Sequence, residues 1–180
     1  MKKTVFAFSV ALIIASLPLA VHAADRNGYL VLKGGLFDPS ANDLDNFGTG
    51  YNAEIGMGGY FIPRILALEL GVGAFRSKDS DQKVDTVPIL LTAKGSLPIG
   101  NLEPYAEAGV GWYFVRTRGA GFDDDDSVAG YHVGLGLNVE VVEGIFLGVE
   151  GRHLWAKPEI LGRDIKIDGY SATANLGFRF

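Results

Sequence analysis

YSATANLGFRF, residues 170–180, closes the chain and alternates between apolar and polar residues without a break. Successive side chains of a β-strand point to opposite faces of the sheet, so every second residue shares a face. Tyr170, Leu176, Phe178 and Phe180 therefore share one apolar face with two alanines, and the other face is polar. This stretch predicts a strand with one side in an apolar environment.

Seven further segments repeat this alternation. They cover residues 28–37, 50–60, 65–76, 84–96, 103–116, 128–140 and 145–155. Short connections alternate with connections that are mostly longer and more charged, as in transmembrane barrels. The pattern predicts an all-β fold, an eight-stranded antiparallel up-and-down transmembrane β-barrel. Pro88 removes a hydrogen-bond donor from the fourth segment, so we expect a bulge or locally open pairing there.

The first 23 residues have the pattern of a secretory signal peptide. Two lysines precede an uncharged apolar run, and Val21-His22-Ala23 supplies small residues before a cleavage site. An uncleaved membrane anchor is the alternative, but the apolar run is short and the cleavage site follows at once. We therefore predict a signal peptide at 1–23 and a barrel domain at 24–180. After residue 23 no segment has the roughly 18 consecutive apolar residues of a spanning helix, so a membrane crossing would need strands in a closed barrel.

The polar face of these strands predicts which side contacts lipid. It is rich in glycine, which removes bulk where strands curve around a narrow interior. The opposite face is apolar and carries aromatic residues near both strand ends, as at two membrane–water interfaces. We therefore place the charged residues of the polar face inside the barrel. They are Lys33, Glu54, Glu69, Lys94, Glu107, Glu140, Glu150, Arg152 and Arg179.

These interior charges allow two interpretations. Buried charges must be paired, because an unpaired one costs several kcal/mol, so they could form a structural plug of ion pairs. They could also form a polar path for small ions. The narrow lumen of an eight-stranded barrel favours the plug. We expect two interior carboxylates to hold Arg152, with Glu150 as a neighbour on the same face.

Composition excludes several other classes of site. The formal net charge is −5 and no basic stripe is present, so we expect no nucleic-acid partner. The chain has no cysteine, which removes thiol nucleophiles, cysteine metal sites and disulfides. The run Asp123, Asp124, Asp125, Asp126 lacks the ligand spacing of a calcium loop, so we predict an acidic surface loop and no metal site or cofactor. A weaker hypothesis is that these aspartates share the divalent ions that bridge lipopolysaccharide phosphates.

A lipid-modifying enzyme is the main alternative from another class. A serine esterase needs a histidine near a serine and a carboxylate that orients the ring. His132 is predicted to point inward among glycines and His153 outward beside Trp155, while Ser127 and Ser171 are the nearest polar candidates. We therefore predict no catalytic residues and no enzyme activity.

The glycine-dotted strand at residues 144–152 and the ending Asp168-Gly169-Tyr170…Leu176-Gly177-Phe178-Arg179-Phe180 resemble the small eight-stranded outer-membrane barrels, the group of OmpX, the opacity proteins and the OmpA transmembrane domain. The resemblance implies that the barrel assembly machinery reads Tyr170, Leu176, Phe178 and Phe180. Because the sequence stops at Phe180, we expect no periplasmic domain like that of full-length OmpA relatives.

Together these observations predict a monomeric bacterial outer-membrane barrel in contact with outer-membrane lipids and lipopolysaccharide. The predicted function is a structural or surface-interaction role, such as envelope integrity or adhesion-type contacts through loops. The alternatives are a narrow channel for small solutes or ions and a lipid A-modifying enzyme.

Overall fold

The computed structural model describes residues 27–39, 49–78, 83–119, 122–156, 159–160, 163–164 and 168–180. The predicted signal peptide lies outside this part of the chain. The strands are β1 Gly28–Pro39, β2 Gly50–Ile62, β3 Leu66–Lys78, β4 Lys83–Ser96, β5 Leu102–Gly119, β6 Phe122–Val142, β7 Ile145–Ala156, β8 Glu159–Ile160, β9 Arg163–Asp164 and β10 Gly169–Arg179.

Eight of these strands form a closed antiparallel barrel in the order β1-β10-β7-β6-β5-β4-β3-β2. The first and last barrel strands close it, with Leu32 opposite Leu176 and Gly35 opposite Thr173. The predicted eight-stranded barrel is therefore confirmed. The short strands β8 and β9 form a separate hairpin within the connection that the sequence predicted as a loop.

Side-chain exposure confirms that the apolar face of the strands forms the outer wall of the barrel. Tyr51 and Leu135 on the outer wall are 73% and 70% exposed, whereas Lys33 and Arg152 inside are 4% and 5% exposed. The wall is thus apolar and the charged groups are enclosed, as a barrel surrounded by lipid requires. Within the described residues, no helix has the length and apolar character needed to cross a membrane.

Three tight turns lie at the end of the barrel where the described chain begins and ends. They connect β2 to β3, β4 to β5 and β6 to β7, and they contain the positive-φ residues Arg64, Gly100 and Gly144. At the same end, Gly28 and Phe180 exchange two backbone hydrogen bonds of 3.1 and 2.9 Å. We call this end the turn end and the opposite end the loop end.

Pro88 produces locally open pairing rather than a bulge. Pairing between β3 and β4 runs to Val72–Ile89 and resumes in the same register at Phe75–Thr86. On its other side, β4 pairs with β5 through Pro88 without interruption. A missing N–H donor explains why only one ladder opens.

The prediction that Asp123–Asp126 form a loop is wrong, because these residues lie in strand β6. Strand β5 extends to Gly119 and pairs with β6 as far as Phe122. The register places Arg118 opposite Asp123 and Arg116 opposite Asp125. Aspartate has a low β-propensity, so the backbone pairing with β5, and not the residue type, makes this segment a strand.

Candidate functional site

The barrel interior is the candidate site, and glycines decide where its large side chains fit. Tyr29 pairs with Gly58, Tyr105 with Gly136 and Phe146 with Gly177 across neighbouring strands. A Cβ on any of these three glycines would overlap the aromatic ring of its partner. The inward-facing glycines therefore provide space for rings that cross the lumen.

Arg152 lies at the centre of a buried cluster of charges. Its three guanidinium nitrogens contact Glu54, Glu107 and Glu150, each at 2.8 Å. These carboxylates come from β2, β5 and β7, so one side chain of β7 connects strands on several sides of the barrel. The middle ion-pair layer comprises Lys33, Glu54, Glu69, Lys94, Glu107, Glu150 and Arg152.

The two lysines of this layer bridge the same carboxylates. Lys33 Nζ lies 2.9 Å from Glu69, 3.0 Å from Glu150 and 3.2 Å from Glu54. Lys94 Nζ lies 2.7 Å from Glu69 and 3.5 Å from Glu107. Each of the four carboxylates thus contacts at least two cations, which offsets the cost of desolvation.

Aromatic and amide groups complete the middle layer. The Tyr105 hydroxyl donates a 2.8 Å hydrogen bond to Glu150, and Asn175 donates to the same hydroxyl at 3.4 Å. Lys94 Nζ lies 4.9 Å from the centroid of the Tyr105 ring, within cation–π range. The layer is therefore a connected network.

A second cluster, the lower ion-pair layer, lies toward the turn end and comprises Arg64, Glu103, Glu140 and Arg179. Arg179 contacts Glu103 at 2.9 Å and Glu140 at 3.2 Å. Arg64 contacts the same two carboxylates at 3.3 and 3.4 Å. Glu140 and Arg179 were predicted from the sequence as interior residues. Glu103 was not, although it shares the parity of the inward-facing Tyr105 and Glu107. Arg64 was not predicted either, because it lies in a turn where alternation gives no signal.

Little space remains between the two layers. A cavity of about 10 Å³ is lined by Tyr29, Tyr60, Glu69, Lys94, Glu103 and further residues. This volume is at the lower limit for a single water molecule. The turn-end half of the lumen is therefore filled by side chains.

A cluster of apolar side chains occupies much of the loop-end half of the interior, beside the buried Asn52, Thr86 and Ser171, and was not predicted from the sequence. An apolar plug forms from Phe37, Phe75, Leu90, Tyr113, Val115, Leu154 and Ala156, all buried. Within it, the rings of Phe37 and Phe75 stack with centroids 5.3 Å apart. A hydrated ion would have to pass this plug before reaching the charged groups, and desolvating it there is costly.

The histidines have different surroundings. His132 is buried inside, and its Nε2 lies 2.9 Å from the Thr92 hydroxyl. His153 is on the outer wall, with its ring 4.1 Å from Trp155 and 4.2 Å from Tyr170. In the described part of the chain, Nδ1 of each histidine is buried without a hydrogen-bond partner, so neither shows the oriented ring of an esterase triad.

The two serines considered for an esterase lie in different surroundings. Ser171 is buried opposite Arg152 across β7 and β10, whereas Ser127 is exposed on β6. Among the residues that the structure describes, no group of three or more His, Cys, Asp or Glu side chains could hold a metal ion.

The residues of the predicted assembly signal lie on the outer face of the last strand or just beyond it. Tyr170, Leu176 and Phe178 of β10 are 59%, 50% and 51% exposed. The Phe180 ring lies 6.2 Å from that of Phe178. An aromatic and apolar surface therefore follows β10 down to the turn end.

Comparisons with known proteins agree with this geometry. Solved structures of other outer-membrane barrels share the fold, among them the following three. Neisserial surface protein A has a TM-score of 0.69 at 16% identity, over 86% of this chain and 97% of that one. The N-terminal β-barrel domain of OprF from Pseudomonas aeruginosa has a TM-score of 0.57 at 17% identity, over 86% and 98% of the chains. OprG from the same organism has a TM-score of 0.57 at 14% identity, over 85% and 96%.

A search of curated protein sequences finds no match. By contrast, the sequence profile of the outer membrane protein beta-barrel domain matches residues 7–180, nearly the whole chain. The closed eight-stranded barrel, its apolar wall and its enclosed charges fit that profile. The chain therefore belongs to the outer membrane protein beta-barrel domain family and is a small barrel of the bacterial outer membrane.

Proposed function

We propose that this protein is a closed barrel that anchors a surface-exposed hairpin, and that its role is structural or involves contacts at the cell surface. The observation that carries the proposal is the length of strands β5 and β6. They have 18 and 21 residues, whereas the other barrel strands have 11 to 14.

A strand needs only about 9–11 residues to cross the hydrocarbon core of a membrane. The exposed large apolar residues of β5 extend to Trp112, and those of β6 begin at Tyr131. Beyond them the two strands stay paired up to Gly119 and Phe122, and β4 accompanies β5 as far as Arg118. Tyr113 and Val115 still belong to the apolar plug, so the outer hairpin begins after them and comprises residues 116–119 and 122–127. At about 3.4 Å per residue, its β6 arm is roughly 20 Å long measured along the strand. The outer hairpin supports a role in contact outside the membrane.

The filled lumen favours contact over transport. The apolar plug occupies much of the loop-end half of the interior, and ion-pair layers lie toward the turn end. The neighbouring structures include a neisserial surface protein and Ail, the attachment invasion locus protein of Yersinia pestis. Their names describe surface roles of those proteins, which is consistent with a surface role proposed for this one.

Two further features belong to the proposal. Residues 1–23 would be removed as a signal peptide on export, so the mature chain would begin at Ala24. The outer face of β10, with Phe180, would be the signal that the barrel assembly machinery reads. The barrel would act as a monomer and without enzyme activity.

We expect a cysteine placed in the outer hairpin to be accessible from outside the cell. The chain has no cysteine, so Asp124→Cys can be labelled without background. A membrane-impermeant maleimide applied to intact cells should label Asp124→Cys. Asn101→Cys, in an exposed tight turn at the turn end, is the matched control and should be labelled only after the outer membrane is permeabilised. The opposite labelling pattern would invert the orientation and end the proposal.

We also expect the purified protein to produce no conductance steps in planar bilayers, because the apolar plug and the ion-pair layers fill the lumen. A porin of known conductance, reconstituted in parallel, is the positive control for the assay. Steady single-channel steps from this protein would support the channel alternative instead. Mass spectrometry of lipid A from cells with and without the protein tests the enzyme alternative, and a changed profile would establish it.

A further inference from the structure

A groove of about 560 Å³ crosses the outer wall of the barrel where β6, β7 and β10 lie side by side. Its volume falls within the range of small-molecule sites, about 300–1,000 Å³. Six residues of the lipid-facing side line it: Ala106, Val133, Leu135, Gly151, His153 and Tyr170. The other lining residues, Glu107, Gly134, Arg152 and Ser171, belong to the inward face of the same strands, so the charged groups lie behind the wall and the lipid-facing side chains are uncharged.

Gly151 makes the floor of the groove. A Cβ built on Gly151 would meet no atom within 4 Å, so the space above it is open. Gly151 pairs with Leu135 on one side and with Ala172 on the other. Because Leu135 is large and 70% exposed, it forms a wall beside this floor. The large side chain of Leu135 beside the missing side chain of Gly151 produces the apolar groove.

A group of rings borders the groove toward the loop end. His153 lies between Trp155 and Tyr170, with ring centroids 4.1 and 4.2 Å away, and Trp155 stacks on Tyr131 at 4.9 Å. Aromatic rings of this kind sit at membrane–water interfaces. His153 and Tyr170 also bring groups that can donate hydrogen bonds to an otherwise apolar site.

The position of the groove identifies the lipid around it. Strand β7 runs from Ile145 at the turn end to Ala156 at the loop end, so Gly151 and His153 lie in its loop-end half. With the outer hairpin outside the cell, that half faces the outer leaflet, whose lipid is lipopolysaccharide. We propose that the groove binds one acyl chain of lipid A, with the chain over Gly151. The ester or amide oxygen where the chain is attached accepts a hydrogen bond from His153 or Tyr170.

A substitution that fills the groove tests this proposal. Gly151→Leu places a side chain over the floor, and Gly34→Leu is the matched control. Gly34 is also an exposed glycine in mid-strand with no atom within 4 Å of a built Cβ, but it lies on β1 and does not line the groove. The proteins are placed in nanodiscs of phosphatidylethanolamine and lipid A, and retained lipid is measured by native mass spectrometry. We expect the wild type and Gly34→Leu to retain one lipid A, and Gly151→Leu to retain at least fivefold less.

A second measurement leaves the floor unchanged and does not depend on the folding of Gly151→Leu. p-Benzoylphenylalanine replaces Leu135 in the groove or, as a control, Tyr51, which is 73% exposed near the loop end of β2. After illumination of cells, lipid A adducts should be several-fold more abundant at position 135. Four results would each overturn the proposal. The two glycine variants could retain equal amounts of lipid A, or lipid A adducts could be equally abundant at positions 135 and 51. The crosslinker at position 135 could also capture a phospholipid or a second copy of the chain. None of these outcomes bears on the exposure of the outer hairpin. The lipid A proposal rests on that orientation, and it can fail while the proposed surface role stands.

Discussion

Replacing Arg152 by methionine should lower the free energy of unfolding by about 3–5 kcal/mol, because removing one partner of a buried ion pair leaves uncompensated charge. Arg152 is the common partner of Glu54, Glu107 and Glu150. Without it, the four carboxylates of the middle ion-pair layer would share only two lysines. Urea titration of the protein folded in lipid vesicles, followed by tryptophan fluorescence, measures the change.

Arg76→Met is the matched control for this experiment. Arg76 forms an ion pair of 2.6 Å with Asp85, but its side chain is 63% exposed. Exposed pairs contribute about 0–1 kcal/mol, so this variant should unfold within about 1 kcal/mol of the wild type. If both arginine variants lose the same stability, the middle layer does not hold the barrel together.

Replacing Gly35 by alanine should destabilise the closing seam of the barrel by about 3 kcal/mol, at the upper end of ordinary single substitutions. A Cβ at Gly35 would overlap the backbone oxygen of Ala172 and lie 2.7 Å from Cα of Thr173. Both contacts are with backbone of β10, which cannot rotate away as a side chain could. Strands β1 and β10 would therefore have to separate where the barrel closes. The folded fraction, measured by heat-dependent gel migration and urea titration, should fall.

Gly34→Ala is the neighbouring control for the seam. Gly34 points outward, and its built Cβ meets no atom within 4 Å. The variant should differ from wild type by no more than about 0.5 kcal/mol, as is usual for surface changes. Equal effects at positions 34 and 35 would show that loss of glycine flexibility, and not the contact with β10, controls closure.

The barrel could be predicted from the sequence because one face of each strand is strongly apolar. Period-two alternation gives both the strand and the direction of every side chain in it. The inward direction of Lys33, Glu69 and Arg152 followed from parity alone. Their partners did not, since contacts across the lumen join strands far apart in sequence, such as Lys33 with Glu150.

Three features could not be predicted in this way. Phe37 and Leu154 are apolar residues on the inner face, so the apolar plug has no compositional signal that separates it from the wall. Arg64 reaches the carboxylates of Glu103 and Glu140 from a turn, where period-two alternation does not give the direction of a side chain. The aspartates of β6 have low strand propensity, and only their pairing with β5 makes them a strand.

The length of β6 also leaves an edge on which the described residues form no ladder. The segment from Phe122 to Ser127 pairs with β5 alone, β8 lies near β6 without pairing with it, and β6 pairs with β7 only from Gly130 onward. Unpaired N–H and C=O groups on such an edge attract strands of other molecules, which leads to aggregation. Four consecutive aspartates occupy this segment, and like charges repel any incoming copy of the same strand. We therefore expect crowded barrels in one membrane to remain side by side without pairing through this edge.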